Sequence, residues 1–249
     1  MIDPDVHTIL SIINDDNVWN QMSPVNAPDD IHRVVFTSLS DVEKNAFPRD
    51  WIPVGTLEFC TAAAKHHGVK YIPAINVPDG IPLPYTGRHY FIARDVSEAK
   101  EICKRYKKMI VKPADIVKRF SACEINANSC ADILANLDGP FFLSEYFCSK
   151  IVAEWRVLFR RKKILSANPY YLGNWEAPNK RVAELILRIW QDQPLAGTLD
   201  FAVLETGQTY LIEAHPFIAC GLYGYDGRFV LNMLRDAWEW LIQSTTNLS

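Results

Sequence analysis

Two carboxylates and an imidazole in the last fifth of the chain have the types and spacing to act together. Segments 198–204 and 209–212 are rich in apolar and β-branched residues and flank Gly207, the pattern of a strand, a turn and a returning strand. A reversal about Thr206 and Gly207 sets Asp200 directly opposite Glu213. The side-chain period of two then places Leu211, Glu213 and His215 on one face. Opposed carboxylates repel across a hairpin unless a cation lies between them. With His215 alongside, the trio forms an oxygen-rich site suited to Mg²⁺ or Mn²⁺. The competing reading pairs Asp200 with an arginine.

Two further clusters carry charge where apolar residues dominate. Met109-Ile110-Val111-Lys112-Pro113 ends an apolar strand on a lysine, whose ammonium needs an anionic partner wherever it is buried. Phosphate is one such partner, and Lys118 and Arg119 follow one loop later; a lysine reaching solvent from a strand mouth is the plain alternative. In the next cluster Glu154 and Arg156 share the polar face of a strand whose other face carries Trp155, Val157 and Phe159. An ordinary cross-strand ion pair would look the same and be worth little at a surface. There is no Walker A sequence, no Gly-x-Ser-x-Gly elbow and no His-Glu-x-x-His. Gly221, Gly224 and Gly227 lack the strand-to-helix context of a dinucleotide site.

The elements that must position these residues follow from periodicity and punctuation. Up to residue 84 the chain reads as a small α/β lobe, with a strand at 32–36 and a helix at 56–67 that stops before Gly68. His66 and His67 mark that helix end rather than a metal site. Pro78, Pro82 and Pro84 fall within seven residues and exclude a continuous helix or central strand, so 1–84 separates from 85–249 there. Beyond the boundary, strands are expected at 90–92, 109–112 and 141–147. A hairpin of 154–160 and 164–168 should turn on the basic Arg161-Lys162-Lys163. Helices are expected from a Ser97 cap to Tyr106, around 131–137, from Pro178 to about 192, and at 228–244. The last carries an apolar stripe of Val230, Met233, Leu234, Ala237, Trp238 and Leu241.

Composition narrows the partners. The 249 residues are 49% hydrophobic and 22% charged, with a formal net charge of −3, an ordinary globular balance that excludes disorder and broad electrostatic binding of nucleic acid. No apolar run approaches a bilayer span, and the N-terminus lacks the segments of a signal peptide. The six cysteines stand singly, which reads as reduced thiols in a cytoplasmic protein.

Taken in order, five segments resemble the ATP-grasp superfamily over roughly residues 85–230. They are Ile110-Val111-Lys112-Pro113-Ala114-Asp115, Phe142-Leu143-Ser144-Glu145-Tyr146-Phe147, Glu154-Trp155-Arg156-Val157, Leu199-Asp200-Phe201-Ala202-Val203 and Leu211-Ile212-Glu213-Ala214-His215-Pro216. Residues 52–59 look like the preceding lobe of a divergent ATP-grasp clade of bacteria and their viruses. The resemblance implies an α+β fold in which two α+β lobes clasp ATP behind a small α/β N-terminal lobe. It implies an ATP-dependent carboxylate–amine or carboxylate–thiol ligase acting through an acylphosphate. Its substrates would be small-molecule or peptide carboxylates and amines, with no nucleic acid or membrane partner.

In that frame Lys112 binds phosphate oxygens, and Glu145, Tyr146 and Phe147 form the hinge whose backbone meets the adenine. Glu154 approaches the ribose and Leu211 lies under the base. Asp200, Glu213 and His215 hold Mg²⁺ or Mn²⁺, and Arg156, Lys118 and Arg119 steady charge on the acylphosphate and tetrahedral intermediate. His215 stands where the family usually has Asn, and Ile116-Val117-Lys118-Arg119-Phe120-Ser121 replaces a glycine-rich loop. Both changes also suit a nucleotide-binding or interaction protein that keeps the fold without turnover. A nucleotidyl-transferring ligase with Lys112 as nucleophile is a third class, for which Lys112-Pro113-Ala114-Asp115 lacks the glycine expected after the acid.

Overall fold

The computed structural model describes residues 38–45, 47–48, 51–172, 176–221, 223 and 229–246; the strand expected at 32–36 lies outside the described residues. Helix α1 (Leu39–Lys44) starts at Ser38, whose hydroxyl accepts from the Asp41 amide, and α2 (Leu57–Lys65) starts at Thr56, which accepts from Phe59. Each hydroxyl meets an amide that the first helical turn leaves without a partner. The proline-rich stretch admits one helical turn, α3 (Leu83–Thr86), because Pro84 sits in the first turn, where its missing N–H loses no bond. Gly87 closes it at φ +61, and a Cβ there would lie 2.5 Å from the Tyr210 ring. No other residue meets both conditions.

The first sheet is antiparallel, in the order β1–β4–β2–β3, with β1 Tyr90–Ala93, β2 Met109–Pro113, β3 Cys123–Ile125 and β4 Phe141–Glu145. Ala93, Met109, Val111, Ile125, Phe141 and Leu143 bury one face against α4 (Val96–Cys103) and α5 (Cys130–Leu134). Asp95, not Ser97, caps α4. Its backbone is extended and its carboxylate accepts from the Glu98 amide, while Ser97 already lies inside the helix. Alternation leaves Lys112 and its neighbour Phe142 on the opposite face.

The second sheet, also antiparallel, runs β6–β5–β7–β8, with β5 Ile151–Arg160, β6 Lys163–Leu172, β7 Ala196–Leu204 and β8 Thr209–Pro216. Its β5–β6 turn places Arg161 and Lys162 at φ 47 and 65, the primed-turn conformation that matches strand twist. Val157, Phe159, Leu199, Phe201, Leu211 and Ala214 bury one face with α6 (Lys180–Ile189), and Phe142 of the first sheet joins them. Asn179, one residue after Pro178, caps α6 by accepting from Arg181. The last helix, α7 (Val230–Thr246), packs Val230, Met233, Ala237, Trp238 and Leu241 with residues of α1, α2 and Phe217. The first and last helices thus share one core. No described helix is long and apolar enough to cross a membrane, and all six cysteines are free.

Candidate active site

The site begins with an irregularity in β8. Asp200 faces Glu213, yet Phe201 faces Leu211, so Ile212 is an additional residue on β8. The register near the turn, continued unbroken, would set Asp200 opposite Ile212; the bulge returns Glu213 to it. The same bulge breaks the period of two. Leu211 therefore does not share a face with Glu213 and His215: it is buried with Phe201 and Ala214.

Arg88, which no sequence pattern marked, ties this bulge down. Its guanidinium donates to the carbonyl oxygens of Leu211 at 3.2 Å and Ile212 at 3.0 Å, and it stacks 4.1 Å from the centre of the Phe147 ring. Burial lowers its pKa to about 10, with Glu213 working against the fall. Its carbonyl partners lie 123 and 124 residues away, beyond the reach of any local signal.

Asp200 is 1% exposed and receives a two-pronged Arg156, Nε to Oδ1 at 2.8 Å and Nη2 to Oδ2 at 2.7 Å. Arg156 is its cross-strand neighbour on β5, so the arginine pairing weighed as the alternative is present. Arg156 also donates to the Gly221 carbonyl at 3.1 Å and lies over the Tyr223 ring. Glu213 meets the Lys112 ammonium through Oε2 and the His215 Nε2 through Oε1, the latter at 3.0 Å. The expected unrelieved repulsion between Asp200 and Glu213 is therefore absent, because each carboxylate has its own cationic partner. Burial alone would raise Glu213, but the His215 hydrogen bond and the His215 and Lys112 charges hold it well below the usual carboxylate range. Burial opposes the Arg156 charge too, and Asp200 more than restores it.

One ligand atom from each of Asp200, Glu213 and His215 lies within 4.8 Å of the others. Two carboxylates and an imidazole match the donors that Mg²⁺ and Mn²⁺ accept, and carboxylate oxygens already hydrogen-bonded keep further lone pairs. The buried Thr198 hydroxyl, cross-strand from His215, has no hydrogen-bond partner. The residues present fit a divalent cation.

Lys112, Lys118, Arg156, Glu213 and His215 line one cavity of about 690 Å³, which Leu57 and Glu58 of α2 also line. Lys118 sits at φ 53, so the glycine-free loop takes a glycine-like turn there. Other expected residues lie elsewhere. Arg119 is committed to Asp115 and to the carbonyl oxygens of Asp138 and Gly139 and does not line the cavity. Glu145 accepts from the His89 amide at 2.8 Å, with the ring Nδ1 at 2.7 Å. The Tyr146 hydroxyl donates to Glu124, and burial together with that carboxylate pushes it up to about 12. Phe147 stacks on Tyr210. Glu154 does not pair with Arg156; it hydrogen-bonds Tyr170, whose hydroxyl burial raises first and the Asp200 and Glu154 charges raise further.

Two helix-backed antiparallel sheets, with a lysine of one meeting the acidic hairpin of the other, make up the two-lobed ATP-grasp fold. The chain belongs to the ATP-grasp domain proteins, within family 2 of one clade of that superfamily, and the family match covers residues 85–233. No curated protein matches it in sequence. Among solved structures it is similar to the ATP-grasp ligase PsnB complexed with minimal precursor, Mg and ADP, at 12% identity over 61% of this chain and 54% of that one, with a TM-score of 0.40. D-alanyl-alanine synthetase A from Vibrio cholerae O1 biovar eltor is 14% identical over 66% of this chain and 60% of its own, with a TM-score of 0.38. A RimK domain ATP-grasp protein from Sphaerobacter thermophilus gives 11%, 65%, 61% and 0.41 in the same order. The chain thus spans less than two thirds of each.

Proposed function

We propose that the chain is an ATP-dependent carboxylate–amine, or carboxylate–thiol, ligase that works through an acylphosphate. One observation carries this reading: Lys112, Lys118 and Arg156 converge with Glu213 and His215 on a single cavity, with Asp200 directly behind Arg156. Family membership supports the reaction class. The division into a lobe at 1–84 and an ATP-grasp unit at 85–249 is supported by the family match beginning at residue 85. Free cysteines and ordinary composition support a cytoplasmic setting.

In this reading Lys112 exchanges Glu213 for phosphate oxygens, a swap between two charge-assisted bonds. The backbone of Glu145, Tyr146 and Phe147 meets the base, and Glu154 approaches the ribose. Asp200, Glu213 and His215 hold Mg²⁺ or Mn²⁺, which when bound neutralises charge on the phosphoryl group. Arg156 and Lys118 steady the acylphosphate and the tetrahedral intermediate from fixed positions, which costs no reorganisation as charge develops. Arg119 is dropped from this set, being held by Asp115 and two carbonyls, and the Leu211 side chain is confined to the core. No dedicated base is required of the protein if the amine arrives deprotonated and aligned.

ADP release tested against amino acids, peptides and small acids, with Mg²⁺ and with Mn²⁺, checks the assignment. Turnover with a carboxylate and an amine supports it, and no thermal shift at millimolar ATP with either metal removes it. A second reading, nucleotide binding without turnover, is favoured by the internal neutralisation of both carboxylates. ATP binding with no ADP release across the acceptor panel would select it.

A further inference from the structure

Residues 72–76 touch both sheets, although they precede the family match, which begins at residue 85. They run antiparallel to the loop that leaves β2. Val117 donates to the Ile72 carbonyl at 3.1 Å, Ala74 donates to the Asp115 carbonyl at 2.9 Å, and Pro73 faces Ile116. At the end of the segment Asn76 faces Ala214 of β8, whose amide donates to the Asn76 carbonyl at 2.6 Å. The Asn76 side chain donates from Nδ2 to the Pro113 carbonyl of β2 at 2.9 Å. One residue thus bonds to a strand of each sheet.

Pro113 follows Lys112 and Ala214 follows Glu213, so the Asn76 bonds lie one residue along each strand from the Lys112–Glu213 ion pair. The two junctions differ in kind. The ion pair is charged and borders the cavity; in the proposed function it opens when Lys112 turns to phosphate and Glu213 to a metal. The Asn76 bonds are neutral, and Asn76 is only 5% exposed, so breaking them would leave a buried carbonyl or amide without a partner. Asn76 also holds φ 52, in the left-handed region that Asn enters more readily than most residues with a Cβ. Such a conformation persists where the surroundings over-determine it, as bonds to two strands do. Asn76 lines the same cavity as Lys112, Glu213 and His215.

From this geometry we infer that Asn76 is a positioning residue. It holds the Lys112 end of β2 against the Glu213–His215 stretch of β8 while the ion pair between them is exchanged for phosphate and metal. The inference rests on the ligase reading for that exchange. A purely structural Asn76, satisfying a buried carbonyl, would stabilise the free and the liganded chain equally, and ligand affinity would not register its loss. A positioning Asn76 makes affinity itself depend on the residue, because only the liganded state lacks the ion pair.

The test uses the full chain and titrates Mn²⁺ together with AMPPNP, a non-hydrolysable ATP analogue. Electron paramagnetic resonance reads bound Mn²⁺, and the melt of the free chain is followed in parallel. Asn76→Gly suits φ 52 and deletes the side-chain bond, so the fold should stand. It should weaken Mn²⁺–AMPPNP binding about fivefold or more, the scale of one lost hydrogen bond. Asn76→Asp keeps the shape and the left-handed backbone but sets a carboxylate oxygen against the Pro113 carbonyl, and should weaken binding at least as much. In a Lys112→Ala background each substitution should cost less than half that factor, since the ammonium it misplaces is gone. The inference is overturned if both variants bind like wild type, or if their losses are the same with and without Lys112. Failure of the ligase reading shows differently: wild type itself then does not bind Mn²⁺–AMPPNP, and the inference falls with it.

Discussion

Two clusters in this chain, each built on a buried aspartate, share a chemistry and differ in one wall. Asp236 of α7 is fully buried and accepts from both Arg160 and Arg161, fastening the β5–β6 turn to the last helix. Asp200 and Glu213 are likewise met by Arg156, Lys112 and His215, but Arg156, Lys112, Glu213 and His215 all border the cavity. None of Arg160, Arg161 and Asp236 lines that cavity, and their ion pairs fasten the turn to the helix. The second cluster holds the same kind of bond against open space, where, in the proposed function, phosphate or a metal ion replaces a partner. An ion pair and a binding site are therefore not exclusive readings of Asp200 and Glu213; the resting pairs keep the charges in place for exchange.

The largest expected effect separates the clusters. Asp236→Asn should lower unfolding free energy by about 2–3 kcal/mol, because it removes the buried carboxylate that holds Arg160, while the more exposed Arg161 stays hydrated. Chemical denaturation checks this, and nucleotide affinity should not change. An effect on nucleotide binding comparable to that of site variants would blur the contrast. Next, Glu213→Gln should cost roughly 1–3 kcal/mol without metal, since Lys112 and His215 lose their carboxylate, and should also abolish metal-dependent nucleotide stabilisation. A variant as stable as wild type would mean that carboxylate repulsion dominates after all.

Lys112→Ala should weaken ATP binding roughly tenfold or more, the loss of one charge-assisted contact of about 1.5–3 kcal/mol, with a smaller loss of stability. Calorimetric titration reads both against wild type. The pH effect is smaller and has a definite sign. The folded-state pKa of Glu213 is depressed, so its contribution is present above the unfolded value of about 4.3 and fades as pH falls towards the folded one. Acid titration of the melting midpoint should therefore be flatter in Glu213→Gln than in wild type. Smallest of all, Thr198→Val removes a buried hydroxyl without a partner and should be neutral or stabilising by about 1 kcal/mol or less.

Much of this organisation was legible in local pattern. Apolar patterning located seven of the eight described strands and the last helix, missing the short β3. The facing of Asp200 and Glu213 was expected, but the register next to the turn is one residue off and the bulge at Ile212 restores it. The ordered segments around Lys112, Glu145, Arg156, Asp200 and Glu213 carried the family, because strand ends and charged residues at fixed offsets are local properties of the chain. Cap choice was less legible. Asp95 displaced Ser97, since several neighbouring residues could meet the first free amides and backbone geometry chose among them, and the helix expected from Pro178 begins two residues later, after its Asn179 cap.

The tertiary structure decided which charges meet. Lys112 reaches Glu213 across 101 positions, Arg156 reaches Asp200 across 44, and Arg88 clamps the bulge across more than 120. No periodicity encodes such distances. The bulge at Ile212 belongs to the same class: it moved Leu211 to the core while keeping Glu213 at the site. A period of two is a local rule, and a single inserted residue held by a distant guanidinium is enough to reverse it. The sequence by itself determined which groups are available for chemistry; close packing of the two lobes determined their partners, because a buried charge is tolerated only where another part of the chain supplies its counter-charge.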